Sequence, residues 1–232
     1  SKEEIFKAIP CTHEYHSSCL ISWGKISKNK KCCYCTQIIT NFPEIPLDKN
    51  EVFIKACSSG DLEVVKEMLK DSQVNPSVFC NRAIIFTSGY GHLEVVKELL
   101  KDPRVDPSGD DNEAIIQAST NGHLEVVKEL LKDPRVDPSE CADDDYSPIC
   151  YASEHGHVKV IKELLKDSRV DPSEYENLAI YFASKNGHLE VVKELLKDPR
   201  VDPSVDDNYT IISASRYGHL EVVKELLKDP RV

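Results

Sequence analysis

The sequence predicts a mostly α protein, a solenoid of six helix-pair repeats preceded by a small cysteine-rich head. Three observations lead there. The string GHLEVVKELLKDPRVDPS starts at Gly91, Gly122 and Gly187, with close variants from Gly60 and Gly156 and a copy from Gly218 that runs to Val232. Self-similarity on this scale marks units that stack because none can bury its apolar face alone. Within each copy the apolar residues recur at helical spacing. Five of the nine cysteines lie between Cys11 and Cys35, outside the repeats.

The repeat glycines are 31, 31, 34, 31 and 31 residues apart. In the second copy Leu93, Val96 and Leu100 stand at i, i+3 and i+7, and Val95 and Leu99 widen the stripe. Glu94, Lys97, Glu98 and Lys101 fall on the other side, which makes an amphipathic helix. Pro103 has no N–H to give and disfavours a helical residue before it, so this helix is predicted to stop at Asp102. A shorter helix precedes it, as in Ala114–Ser119. Asp111 or Asn112 is the expected N-cap, and Gly122 is expected to turn left-handed just past the end. Ala118 and Ser119 are small and let neighbouring helices approach closely.

The Gly-His-Leu-Glu-Val-Val-Lys string, preceded by Ala-Ser, resembles the ankyrin repeat, in the dialect of arrays from amoebae and their giant viruses. Tyr146-Ser147-Pro148-Ile149-Cys150-Tyr151-Ala152 comes nearest to that family's Thr-Pro-Leu-His opening, which other copies replace with forms such as Glu113-Ala114-Ile115-Ile116. The resemblance covers about four fifths of the chain. It implies protein binding, because ankyrin repeats carry no chemistry of their own. By the same resemblance the binding surface is the first helix and the loop before it. The positions varying there between copies are Phe86, Gly89 and Tyr90; Gln117, Thr120 and Asn121; and Tyr151, Glu154 and His155. Phe182, Lys185 and Asn186 follow, then Ser213, Arg216 and Tyr217. Tyr and Arg are enriched at interface centres, whereas Phe86 and Phe182 fit a core position equally well. The acidic loops Asp110-Asp111, Asp143-Asp144-Asp145 and Asp206-Asp207 favour a basic partner.

Other recurring residues have plainer readings. His92, His123, His157, His188 and His219 appear once per repeat, which points to a structural hydrogen bond rather than a ligand role. The Asp-Pro-Arg-Val-Asp-Pro-Ser loops lack the glycine and terminal glutamate of a calcium loop and read as solvated turns. Cys57, Cys80, Cys141 and Cys150 stand singly and are expected to be small buried apolar residues.

The head carries Cys11-x-His13-x-x-His16-x-x-Cys19, then twelve residues, then Cys32-x-x-Cys35. Tetrahedral zinc takes four thiolate or imidazole ligands, and close-spaced pairs supply them. Clustered Cys and His without a secretory signal indicate zinc in a reducing compartment, the cytoplasm, rather than a disulfide framework. The order resembles the last six ligands of a RING finger with two central histidines, down to Cys19-Leu-x-x-Trp23. That resemblance implies a cross-brace: Cys11, His13, Cys32 and Cys35 on one zinc, His16 and Cys19 on another. Ser1–Pro10 contains no Cys or His, and Met68 is the sole methionine. The missing pair is therefore expected upstream, and residues 1–232 alone are expected to bind one zinc tightly and to be inactive as a ligase. The resemblance also implies that Trp23, Cys33 and Tyr34 contact a ubiquitin-conjugating enzyme, the alternative for Trp23 being packing within the zinc domain. Cys33 stands where such fingers usually have proline, and Thr36 where many active ones have arginine.

The predicted domains are a partial RING-type finger over 1–40, a linker over 41–48 held extended by Pro43 and Pro46, and ankyrin repeats over 49–232. Residues 1–50 carry a net +2, leaving −13 on the rest of a chain whose total is −11. Phosphate binding needs a basic stripe, so nucleic acid and anionic membrane surfaces are excluded as partners. No apolar run approaches the roughly 20 residues needed to span a bilayer. Two functions compete: a RING-type ubiquitin ligase whose array captures a protein substrate, and a non-catalytic scaffold with a structural zinc finger. The final copy stops at Asp229-Pro230-Arg231-Val232 with Leu220, Val223 and Leu227 still apolar. The array is therefore expected to continue past Val232 and to fray at that end.

Overall fold

The computed structural model describes residues 5–7, 14–16, 48–139 and 146–232. They belong to two compact units, Ser1–Asp48 and Lys49–Val232. In the first, strand β1 (Ile5–Lys7) pairs antiparallel with β2 (Glu14–His16), Ile5 opposite His16 and Lys7 opposite Glu14. Three residues a strand are too few for alternation to show in the sequence.

The second unit is six helix pairs: α1 (Lys49–Ser59) with α2 (Leu62–Leu69), α3 (Val78–Gly89) with α4 (Leu93–Leu99), and α5 (Gly109–Thr120) with α6 (Leu124–Leu130). Then come α7 (Pro148–Glu154) with α8 (Val158–Leu164), α9 (Glu174–Lys185) with α10 (Leu189–Leu195), and α11 (Val205–Arg216) with α12 (Leu220–Leu226). The first helices stack in chain order as one layer and the second helices as another. A single core runs between the layers.

The second helices follow their pattern. In α6, Val126, Val127 and Leu130 are fully buried, and Leu124 and Leu131 pack half-buried against them. Burying a leucine such as Leu130 stabilises by about 1.5–3 kcal/mol. On the outer face Lys128 pairs with Glu125 and Lys132 with Glu129, exposed i,i+3 pairs worth about 0.2–0.5 kcal/mol each. Helix α4 ends at Leu99, earlier than the Asp102 expected. The chain tightens first: Lys101 N–H donates to Glu98 O, and Asp102 N–H donates to Leu99 O. That turn swings Val105 into the core.

The first helices begin differently from expectation. Asp110, Asp111 and Asn112 take φ values of 59°, 53° and 62°, a left-handed turn before the helix proper. Neither Asp111 nor Asn112 is the N-cap. Instead Asn112 is buried, and its Oδ1 accepts the Asp137 N–H of the following loop at 2.9 Å. Asn81 and Asn177 repeat this with Asp106 and Asp202. Asparagine is among the few residues that visit the left-handed region readily, and here its amide also joins two repeats. The fourth copy departs: α7 starts at Pro148 after an extended Ser147, since proline suits the first helical position.

Two further kinds of tie cross the repeat boundaries. The His123 Nε2–H donates to Gly89 O at 2.9 Å, and a carbonyl accepts only, so Nε2 carries the proton. His92, His157, His188 and His219 bond Ser58, Thr120, Glu154 and Lys185 carbonyls likewise. The ring of His157 lies over Gly122, where an added Cβ would fall 2.5 Å from Nδ1. The loops are more than solvated turns. Arg135 forks onto Asp133, holding that carboxyl below the usual range, while its Nη1 donates to Val105 O of the preceding repeat. Arg104, Arg169 and Arg200 do the same to Val74, Val136 and Val170. The first copy carries Asp61 and Gln73 at these positions. Asp61 instead caps α2 through the Val64 N–H.

Leu220 and Leu227 are 61% and 62% exposed, whereas Leu189 and Leu196 of α10 pack against the core. The lone cysteines divide. Cys57 and Cys150 are buried, and burial pushes the Cys57 thiol up to about 12, which makes it inert. Cys80 is exposed, contrary to expectation, because it rides the left-handed turn of α3 at φ 56°. Cys141 lies outside the described residues.

Gly122→Ala is expected to lower the urea midpoint more than Gly218→Ala. Both glycines sit at positive φ, about 1 kcal/mol each for alanine, but a Cβ at Gly218 meets nothing within 4 Å. Equal losses would show that the histidine packing contributes nothing. Burial, with His155, His123 and His188 nearby, holds the His157 pKa below its ordinary value. A histidine depressed in the folded state binds its proton more readily when unfolded. Its stabilisation is therefore complete above the unfolded value of about 6.5 and falls as pH drops from there toward the folded pKa. Urea midpoints from pH 7.5 to 5 are expected to fall more steeply for the wild type than for His157→Gln.

Candidate partner-binding surface

Side chains on the outer face of the first helices are set by two local features. Each helix leaves residues five, two and one positions before its glycine on one face, and each left-handed turn projects its first two residues beside them. Around Phe86, Tyr90, Gln117 and Asn121 the structure forms a groove of about 380 Å³ between α3 and α5, bringing four of the predicted residues together. Phe86 is half-buried, edge-on to Tyr90 at 6.5 Å, with the Arg82 guanidinium 4.8 Å above its ring. Tyr90 is exposed. Gln117 Nε2 donates to Glu113 at 2.7 Å, and Asn121 Nδ2 donates to Gln117 O.

On α7, Tyr151 and Glu154 are half-buried and His155 is exposed, stacked on His157. Glu154 offers its backbone as much as its side chain, since its carbonyl accepts from His188 and from Asn186 Nδ2. Arg216, at the end of α11, and Tyr217 just after it are exposed. Phe182 is a correction: it is buried, packed edge-on at 5.5 Å beneath Tyr146. Large rings around it exclude water, so it supports the surface from below. Lys185 lies over the Tyr181 ring at 5.7 Å.

Four tyrosines absent from the predicted set dominate the C-terminal half. Tyr146 touches Tyr151, Tyr175 and Phe182 at 5.5–6.0 Å, and Tyr181 stacks on Tyr209 at 5.3 Å and 17°. Aromatic pairs of this geometry add about 0.5–1.5 kcal/mol beyond burial. The signal was present, since all four occupy stretches that differ between copies. Tyr175 lies on a left-handed turn and Tyr209 directly after one, so they reach this face from outside the helical positions that vary before each glycine.

Charge is also uneven. On the second helices Glu94–Lys97, Glu98–Lys101 and their equivalents neutralise each other, and the loop aspartates pair with arginines. Asp110, Asp111, Glu176, Asp206 and Asp207, all on left-handed turns, make no ion pair among the described residues. Uncompensated negative charge therefore gathers beside the rings. Asp143-Asp144-Asp145 lie outside the described residues.

Cys11, His13, Cys19, Cys32 and Cys35, with Trp23, Cys33, Tyr34 and Thr36, lie outside the described residues, as does most of the linker; His16 is described only as the end of β2. Among the described residues no group of three or more His, Cys, Asp or Glu is placed to hold a metal. No described helix is long and apolar enough to cross a membrane.

Asp111→Gly is expected to raise stability by up to about 1 kcal/mol by relieving a left-handed residue with a side chain. A lower urea midpoint would show that the aspartate is held there by contacts rather than against strain.

A family model described as ankyrin repeats (3 copies) matches residues 53–140, 84–176, 115–207 and 170–232. A second, zinc finger, C3HC4 type (RING finger), matches residues 1–35; its name counts one histidine, whereas this run has His13 and His16. No curated protein matches the chain. Among solved structures, the crystal structure of the human ASB11 ankyrin repeat domain is similar at 21% identity and a TM-score of 0.64, covering 76% of this chain and 82% of that one. At that identity the likeness is one of fold. Ankyrin models span residues 53–232 without a gap, and the chain belongs to the ankyrin-repeat family, with a RING finger at its N-terminus.

Proposed function

We propose that the chain is a RING-type ubiquitin ligase in which the ankyrin array captures a protein substrate and the head recruits a ubiquitin-conjugating enzyme. The observation that carries this reading is the joining, in one chain, of a RING-finger match over 1–35 to an array presenting an aromatic and acidic face. A RING forms no covalent bond to its substrate. It holds the charged conjugating enzyme and orients the thioester for attack, which is catalysis by positioning. Trp23, Cys33 and Tyr34 are the residues proposed to touch that enzyme. Zinc is the cofactor, with Cys11, His13, Cys32 and Cys35 as one tetrahedral set and His16 and Cys19 as half of another; thiolate and imidazole donors suit that ion. Such thiolates survive in the cytoplasm, where they stay reduced.

A second reading, a protein-binding scaffold with a structural zinc finger, draws on Cys33 and Thr36, which replace residues common in active fingers.

Elemental analysis of purified residues 1–232 is expected to give one tightly held zinc per chain, and Cys32→Ser to release it. No zinc would remove the RING reading. In reconstituted ubiquitination with the full-length protein, a panel of conjugating enzymes is expected to yield chains, and Trp23→Ala to cut the rate by about tenfold, the size of one lost interface contact. Bound zinc without any chain formation would leave the scaffold.

A further inference from the structure

Two corresponding grooves lie on the first-helix face, one between the second and third repeats and one between the fifth and sixth. The first, of about 660 Å³, is lined by Phe86, Arg82, Asp110 and Asp111 among others. It contains its own cation, because the Arg82 guanidinium lies 4.8 Å from the Phe86 ring centre beside those carboxylates. The second, of about 210 Å³, is lined by Tyr175, Glu176, Leu178, Tyr181, Asp206 and Tyr209. Leu178 stands nine residues before Gly187, as Arg82 stands nine before Gly91. The second groove thus keeps rings and carboxylates and has an aliphatic side chain in the place of the cation.

Its chemistry is specific. Tyr181 and Tyr209 stack at 5.3 Å, and Glu176 and Asp206 make no ion pair among the described residues. Lys185 approaches Tyr181 from outside the groove's lining. A cation over a tyrosine face is attracted by the ring quadrupole, and two unpaired carboxylates add to that attraction. An apolar occupant would strip water from both carboxylates without replacing it by a counter-charge. An acidic one would be repelled.

We propose that the groove between the fifth and sixth repeats takes a lysine or arginine side chain from a basic segment of the captured protein, its charged head against Tyr181 and Tyr209 and facing Glu176 and Asp206. This rests on the reading that the array binds a protein, and it names the chemistry of what is bound. Residues 175, 176, 206 and 209 project from the left-handed turns and the start of α11, so the strained turns place the recognition groups.

Fluorescence anisotropy on the full chain tests this, using a labelled heptapeptide with a lysine–arginine–lysine centre and its glutamate counterpart. The basic peptide is expected to bind at low salt and the acidic one not. Glu176→Gln with Asp206→Asn is expected to weaken binding about tenfold, and Tyr209→Leu about threefold. Glu176 and Asp206 are exposed, so the carboxamide variant keeps the wild-type circular dichroism and urea midpoint, while Tyr209→Leu keeps the circular dichroism and lowers the midpoint only by the loss of its ring pair. Glu125→Gln, on the outer face of α6 away from both grooves, serves as a charge-matched control and leaves the affinity unchanged. Equal affinity of the carboxamide variant and the wild type overturns the proposal, as does absence of binding by the basic peptide. A displayed peptide library selected on the full chain separates the two levels. Enrichment of sequences without lysine or arginine, insensitive to Tyr209→Leu, overturns the groove and leaves protein capture standing. Enrichment of nothing removes both.

Discussion

Everything in the array depends on how one repeat holds the next. A helix pair of this length cannot bury its own apolar stripe, and stacked apolar faces alone tolerate sliding. Polar ties of three kinds across the boundaries remove that freedom. The histidine ring bonds the end of the preceding first helix, the arginine bonds the preceding loop, and the asparagine amide accepts from the following loop. Each is short-range and directional, and each joins a side chain to a backbone group. Packing supplies most of the stabilisation, and the ties set the register in which it is gained.

Much of this was legible in the sequence. The second helices were, because seven residues with a clear apolar stripe leave one solution, and the glycine after each first helix was, because it ends a helix by turning left-handed. The repeated histidines were readable as structural from their recurrence alone. The left-handed turns were not. Asp, Asn, Phe, Cys, Tyr and Glu occupy them, and no local propensity favours Phe79 or Tyr175 there. In three of the four turns the asparagine at the end accepts a backbone N–H 25 residues on, while Asn208 takes the same conformation with its Oδ1 unpartnered among the described residues. A constraint of that range leaves no local trace. For the same reason Tyr175 and Tyr209 do not show in the helical pattern, and Phe182, which the pattern puts on the outer face, lies buried beneath Tyr146.

The charge distribution divides the two faces by role. Outer-face glutamates and lysines alternate within a single helix and cancel, at little cost or gain in stability. The turns carry acids that form no ion pair among the described residues, beside rings that differ from copy to copy. A ligand that sampled the whole surface would find one side electrostatically bland and the other selective. Variation in the sequence and imbalance in the charge thus coincide in space, although they arise at different positions along the chain.

Because Leu-Glu-Val-Val-Lys-Glu-Leu recurs unchanged in α4, α6, α10 and α12, every junction among those copies presents nearly the same pair of surfaces. Any such unit can therefore neighbour any other. Deleting or duplicating a whole period rejoins histidine to carbonyl and arginine to valine across the new seam, so the chain can lengthen or shorten by unequal recombination without a packing defect. Loss of part of a period would break all three ties at once. Near-identity in one layer thus gives the lineage freedom to reorder the other, assembling new binding faces from old units without solving the folding problem again.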